Sequence, residues 1–229
     1  MTKKVSIEIG HGGTDPGAVS GKILEKDINL NTGLELKRQL ERHGVKVLIN
    51  RTADVNDKAT EFVKKAREFN PDAGISVHAN AFNGTAKGFE VFRNTNAFKI
   101  VSNLLCAHIE SEVKALGRIS RGVKDSPFLM SSLSCPTAYC ELGFLDNPAD
   151  YKDFDDSQKQ KAFGTAYAKG ILNYFGIAWL PEKAVSAGGG ERTMYRVIAG
   201  SFSEKANAQA LVKALKTKGI DCFIAEYKN

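Results

Sequence analysis

Val5, Ile7 and Ile9 alternate with Ser6 and Glu8, a period of two that predicts a strand. Gly10, Gly12 and Gly13 break it, and Asp15-Pro16-Gly17 predicts a turn. The period then changes. From about Asp27 the pairs Leu30/Leu34 and Leu36/Leu40 recur at i,i+4, which predicts a helix closed by Gly44 after Arg42 and His43. His43 thus reads as a helix-end residue. Val45, Val47 and Ile49 predict a second strand, and Phe62, Val63, Ala66 and Phe69 a helix that stops before Pro71. Residues 74–79 and 89–92 read as further strands. A long helix follows, with Ile100, Leu104, Leu105, Ile109, Val113 and Leu116 on its apolar side and His108 as a packing or rim residue. Residues 137–144 read as a strand. Ser157-x-x-Gln160 has the form of a capping box, opening a helix with Phe163, Ala166, Tyr167, Ile171 and Tyr174. Strands alternating with helices predict an α/β fold: a twisted, mostly parallel sheet flanked by helices.

After residue 180 the composition shifts. Residues 181–192 include Ser186-Ala187-Gly188-Gly189-Gly190, a flexible linker. A strand at 195–199 follows, then a helix carrying Ala206, Ala210, Leu211, Ala214 and Leu215, closed by Gly219, and a last strand through Cys222, Ile224 and Glu226. The expected organisation is a catalytic domain at 1–179, a linker at 180–192 and a small C-terminal β-α-β unit at 193–229. A unit of about 35 residues rarely supplies its own core, so this one is expected to need a partner surface.

The chain has 229 residues, 42% of them hydrophobic, enough for one core and a small second module. Its formal net charge of +6 favours an anionic partner, although a mildly basic solvated surface gives the same figure. There is no basic stripe with interleaved aromatics, so nucleic acid is not expected. No apolar run reaches the roughly 18 residues of a membrane span. Met1-Thr2-Lys3-Lys4 leads straight into the first strand, so synthesis in the cytoplasm without a signal peptide is expected, with action after release. Cys106, Cys135, Cys140 and Cys222 form no CxxC pair and are expected to be reduced, Cys140 as a strand filler.

The chemistry lies at strand ends. His11 and His78 each close an apolar strand, and Glu25 lies between them in the sequence. Two His and one Glu form the ligand set of a catalytic zinc site with an open position. No HExxH helix is present, so the three must converge through the fold, at the carboxyl ends of strands. Ser76 and Asn80 are placed to orient the imidazoles or a substrate, and Glu141 is the candidate general base. Taken alone, each feature is what a glycine turn, a strand end or an edge charge would also give. Their joint order carries the case.

That order resembles the zinc-dependent N-acetylmuramoyl-L-alanine amidases of the amidase 3 group. The matching blocks are Gly10-His11-Gly12-Gly13-x-Asp15-Pro16-Gly17-Ala18, Glu25-Lys26-Asp27, Arg51-Thr52-x-Asp54, Ser76-Val77-His78-Ala79-Asn80, Gly88-Phe89-Glu90-Val91-Phe92, Arg121-Gly122-Val123-Lys124 and Glu141-Leu142-Gly143-Phe144-Leu145-x-Asn147. The resemblance implies one zinc ion held by His11, Glu25 and His78, with Glu141 in catalysis and Asn80 and Arg121 as candidate substrate contacts. It implies bacterial peptidoglycan as the partner, cleaved between N-acetylmuramic acid and the L-alanine of the stem peptide. The short stretch from Asn80 to Gly88 implies an open site. In the tail, Tyr195-Arg196-Val197-x-Ala199-Gly200-Ser201-Phe202-Ser203 with Lys218-Gly219 resembles the start of a SPOR peptidoglycan-binding module. Only one half of such a module is visible, and a homodimer pairing two half-modules is the expectation drawn from it. Three biological readings stand: a phage endolysin, favoured by the missing signal peptide; a mother-cell autolysin of sporulation; and an inactive wall-binding protein.

Overall fold

The computed structural model describes residues 2–125, 129–181, 202–217 and 224. The chain divides into two compact units, Met1–Pro181 and Glu182–Asn229.

The first unit is built on six strands: β1 (Lys4–Ile9), β4 (Lys46–Ile49), β5 (Ala73–Asn80), β6 (Phe89–Arg93), β7 (Ser120–Asp125) and β8 (Thr137–Phe144). Their spatial order is β4-β1-β5-β8-β6-β7. The pairs β4–β1, β1–β5, β5–β8 and β6–β7 are parallel, and β6 runs antiparallel to β8. The sheet is therefore mixed but mostly parallel, as the alternation implied. Reversal of β6 brings its first residues to the edge where β1, β5 and β8 end. A hairpin, β2 (Val19–Ser20) and β3 (Ile23–Leu24), fills the connection after β1.

The two faces of the sheet differ. Val5, Ile7 and Ile9 of β1, Ile75 and Val77 of β5, and Ala138, Cys140 and Leu142 of β8 enter one large core. Over that face pack α1 (Glu25–Arg42), α3 (Lys99–Ala115) and α5 (Ser157–Phe175). Close approach depends on small residues: a Cβ at Gly164 of α5 would fall 2.3 Å from the carbonyl oxygen of Thr32 in α1. The opposite face carries Ser6, Glu8, Ser76, Tyr139 and Glu141, and only a small apolar cluster covers it. In that cluster Phe62, Val63 and Ala66 of α2 (Ala59–Phe69) meet Met130, Leu133 and Cys135. A strand buried on both sides but polar on one is the signature of a face kept for chemistry.

One strand is added to the sequence reading and two expectations are corrected. Strand β7 is not apparent from periodicity, because its residues include Arg121, Gly122 and Lys124. In α3 the buried row is Ser102, Leu105, Cys106, Ile109 and Val113, whereas Ile100, Leu104 and Leu116 are exposed. Ile100 stands nine residues from Ile109, about 180° around at 100° per residue, so the two cannot share a face. The capping box is also replaced: Asp156 is the cap of α5 and accepts from the N–H groups of Gln158 and Lys159, one residue before the expected Ser157. Gln160 instead donates to the carbonyl of Phe154. A short helix, α4 (Pro148–Phe154), precedes α5.

In the second unit the described element is α6 (Lys205–Lys216), none of whose residues is buried. Of the linker expected at 180–192, residues 182–192 lie outside the described residues, as do the strand at 195–199, Gly219 and the strand residues Cys222 and Glu226. Among the described residues no helix is long and apolar enough to cross a membrane.

Candidate functional site

Strand register assembles the polar face. Glu8 pairs with Ser76 across β1–β5, His78 with Glu141 across β5–β8, and Glu90 with Glu141 across β6–β8. Partners in register point to the same side of a sheet. His78, Glu141 and Glu90 thus form one row.

His11 joins from the loop after β1. Its φ of 62° is rare for a residue with a side chain, and the bonds of Gly12 N to Asp15 O (2.9 Å) and Asp15 N to Gly12 O (3.1 Å) hold it there. The glycines around it serve the site. A Cβ at Gly10 would fall 2.0 Å from Cε1 of His78, so the imidazole rests against a bare Cα. Buried Arg51 braces this loop to the start of α1, donating from Nη2 to the carbonyls of Gly10 (3.1 Å) and Lys26 (2.7 Å). At that start, the N–H groups of Glu25 and Lys26 are taken by the carbonyls of Ala18 and Pro16. The first turn needs no side-chain cap, and the Glu25 carboxylate is left to face the histidines.

Glu25 Oε1 lies 3.1 Å from His11 Nε2 and 3.1 Å from His78 Nδ1, and accepts from the N–H of Ala79 at 3.0 Å. One ligand atom from each of the three residues lies within 4.8 Å of the others. The far ring nitrogens are also held: His11 Nδ1 is 2.9 Å from Asp15 Oδ2, and His78 Nε2 is 3.3 Å from Glu8 Oε2. Tyr139 stacks on the His78 ring at 4.6 Å.

Charge follows this geometry. Burial alone would raise the Glu25 carboxyl, but its bonds to His11 and His78 outweigh that and hold it well below the usual carboxylate range. Burial would lower His78, yet the charge of Glu8 and the bonds to Glu25 and Glu8 lift it to about 10. The hydrogen bond to Glu25 raises His11 in the same sense. Glu141 behaves differently. Burial pushes it up to about 7, with the charges of Glu25 and Glu90 adding to the rise, and its Oε2 has no hydrogen-bond partner. An ionised carboxylate between two imidazoles whose outer nitrogens are already bound is a donor set suited to one zinc ion.

Comparison with known proteins is decisive here: the amidase 3 family profile, described as N-acetylmuramoyl-L-alanine amidase, matches residues 5–173. The chain belongs to this amidase family. A SPOR domain profile matches residues 168–226. The amidase CwlM of Bacillus licheniformis is 30% identical over 96% of this chain and 84% of its own length. The sporulation-specific N-acetylmuramoyl-L-alanine amidase of Bacillus subtilis (strain 168) is 28% identical over the same shares. Among solved structures, the amidase AmiC2 of Nostoc punctiforme superposes with a TM-score of 0.71 at 28% identity, covering 76% of this chain and 97% of that one.

Within the amidase domain, His11, Glu25 and His78 converge and Glu141 stands beside them in register. Asn80 and Arg121, expected as substrate contacts, line one groove of about 470 Å³ with Glu90 between them. Arg121 Nε donates to Glu90 at 2.7 Å, and its guanidinium lies over the Phe144 ring. Neither Ser76 nor Asn80 orients an imidazole, and of the two it is Asn80 that lines the groove. Ser76 Oγ is buried without a partner, and Asn80 donates to Glu90, so neither holds an imidazole. That part falls to Asp15 and to Glu8, which sequence reasoning missed. Its signal was a lone carboxylate among the apolar residues of a strand. His43 caps α1 against Trp179, and His108 is exposed on α3, both apart from the cluster. Cys140 is fully buried, its thiol pushed well up by burial, which suits a strand filler. Pairing of two half-modules concerns a tail mostly outside the described residues, and neither the structure nor the relatives support it.

Proposed function

We propose that this amidase hydrolyses the amide between N-acetylmuramic acid and the L-alanine of the peptidoglycan stem, with one zinc ion held by His11, Glu25 and His78. The observation that carries the reading is the convergence of three ligand atoms within 4.8 Å beside an unpartnered carboxylate oxygen of Glu141. When bound, zinc supplies Lewis acidity, polarising the scissile carbonyl and acidifying the attacking water. Glu141, held near neutrality by burial, takes the water proton at Oε2 and returns it to the leaving nitrogen. Glu8 and Asp15 hold the outer nitrogens of His78 and His11, which leaves the inner nitrogens, beside Glu25, to give up their protons and supply lone pairs to the ion when it is bound. The SPOR match fits a tail that holds the enzyme to its polymer.

The target is read as a bacterium's own wall. Support comes from relatives matched over 96% of the chain, one of them sporulation-specific, which favours an autolysin over a phage endolysin. Digestion of purified walls tests the chemistry. New amino groups without new reducing ends, abolished by a chelator and restored by zinc, are expected. New reducing ends would indicate a glycosidase and overturn the reading. Binding to walls without release of either group would leave the third reading, an inactive wall-binding protein.

A further inference from the structure

We infer that Phe82 is a stacking platform for a sugar ring, and that the groove beside it takes the glycan arm of the wall polymer rather than its peptide arm. The inference rests on the amidase reading above. Phe82 is 76% exposed, two residues beyond Asn80 at the end of β5, the strand that carries His78. The ring borders the groove at the catalytic edge, which sets it apart from an apolar side chain scattered singly on the surface.

The ring stands on a fixed support. Asp146 Oδ2 accepts from the N–H groups of Phe82 (3.1 Å) and Gly84 (2.7 Å). Asn83 Oδ1 closes the turn by accepting from Thr85 N and Ala86 N, and Asn147 Nδ2 donates to the carbonyls of Gly84 and Thr85. Leu145 N bonds Asn80 O at 2.7 Å. A loop tied at both ends presents its aromatic face without an ordering cost on binding.

The groove's charge selects its occupant. Its lining carries one carboxylate, Glu90, and one guanidinium, Arg121, already paired. Lys124, outside the lining, also donates to Glu90, so both cations are turned onto that carboxylate rather than offered to the carboxylates of a stem peptide. Neutral planar groups on Asn80 and Asn83, the Glu90–Arg121 pair and the exposed Phe82 ring match a neutral ring with hydroxyls at its rim and C–H groups on its face. The groove also continues the row His78–Glu141–Glu90, which puts its occupant next to the scissile amide of the proposed reaction.

Full-length Phe82→Trp tests this directly, because the wild-type chain has a single tryptophan, Trp179, as baseline. Titration with a peptide-free β-1,4 N-acetylglucosamine tetramer is expected to give a saturable emission change in the variant, absent from wild type. Free stem tripeptide is expected to give none. A response to the tripeptide alone, or to neither, overturns the inference. In parallel, Phe82→Ala is expected to raise KM on purified walls roughly three- to tenfold with kcat within twofold, and Phe82→Tyr to restore it. An unchanged KM overturns the stacking role while wild-type turnover stands. Absence of wild-type turnover would instead overturn the amidase reading itself.

Discussion

His78 and Glu141 are register partners on adjacent parallel strands, so an imidazole and a carboxylate stand side by side on one rigid sheet. Two central strands allow less drift than two loops, which suits a proton carrier that must keep station beside a metal ligand. Replacing Glu141 with Gln keeps the shape and removes the base. Zinc content of Glu141→Gln, measured by atomic emission, should match wild type, while turnover falls roughly 10²–10⁴-fold. Metal loss in that variant would make Glu141 a ligand instead.

Glu8 acts through His78. Glu8→Gln leaves a side chain of the same size but weakens the hold on His78 Nε2. Zinc affinity by chelator competition should drop roughly 10- to 100-fold with unchanged circular dichroism. Asp15→Asn should act in the same sense through His11, and more weakly, since His11 is more exposed than His78. Affinities equal to wild type would remove both from the site.

Metal-free protein should weaken as pH rises. The folded His78 pKa, about 10, lies above its ordinary 6.5. Its contribution is therefore complete below about 6.5 and is lost between 6.5 and 10 as the proton leaves. Scanning calorimetry of the apo-protein should show Tm falling across that window, and His78→Ala should flatten the fall. Zinc must displace the same proton, so calorimetric titration at pH 8 in buffers of different ionisation enthalpy should report proton release on binding.

Gly10 tests the packing of the site independently of charge. A Cβ there would overlap the His78 ring at 2.0 Å, and the neighbouring backbone cannot yield without moving β1. Gly10→Ala should lose zinc affinity at least tenfold while the apo-protein still folds, because the core side of β1 is untouched. Zinc affinity equal to wild type would show that the ring has room to move.

Most of this architecture is written in short-range patterns. The alternation through Val5–Ile9 and the i,i+4 pairs of α1 each read one element at a time, and local periodicity suffices for that. Glycine-flanked His11, and His78 at the end of an apolar strand, stood out for the same reason. What depended on contacts between distant residues was hidden. Glu8 matters only because β5 brings His78 beside it, 70 positions later. The reversed direction of β6 and of β7 parallel to it, which delivers Glu90 and Arg121 to the site, leaves no mark in either strand's own sequence. Ile100 and Leu104 misled because their spacing is helical whichever way the helix faces.

Along β1, β5 and β8 one alternate set of residues answers to the core, and the other carries Glu8, His78 and Glu141. The two sets are interleaved in sequence yet meet different neighbours, so they are free to evolve separately. A lineage could exchange Val5, Ile7, Ile75 and Val77 for other packed apolar residues to suit a hotter habitat without touching the catalytic row. Conversely, the polar row could be retuned for another wall chemistry on an unaltered scaffold.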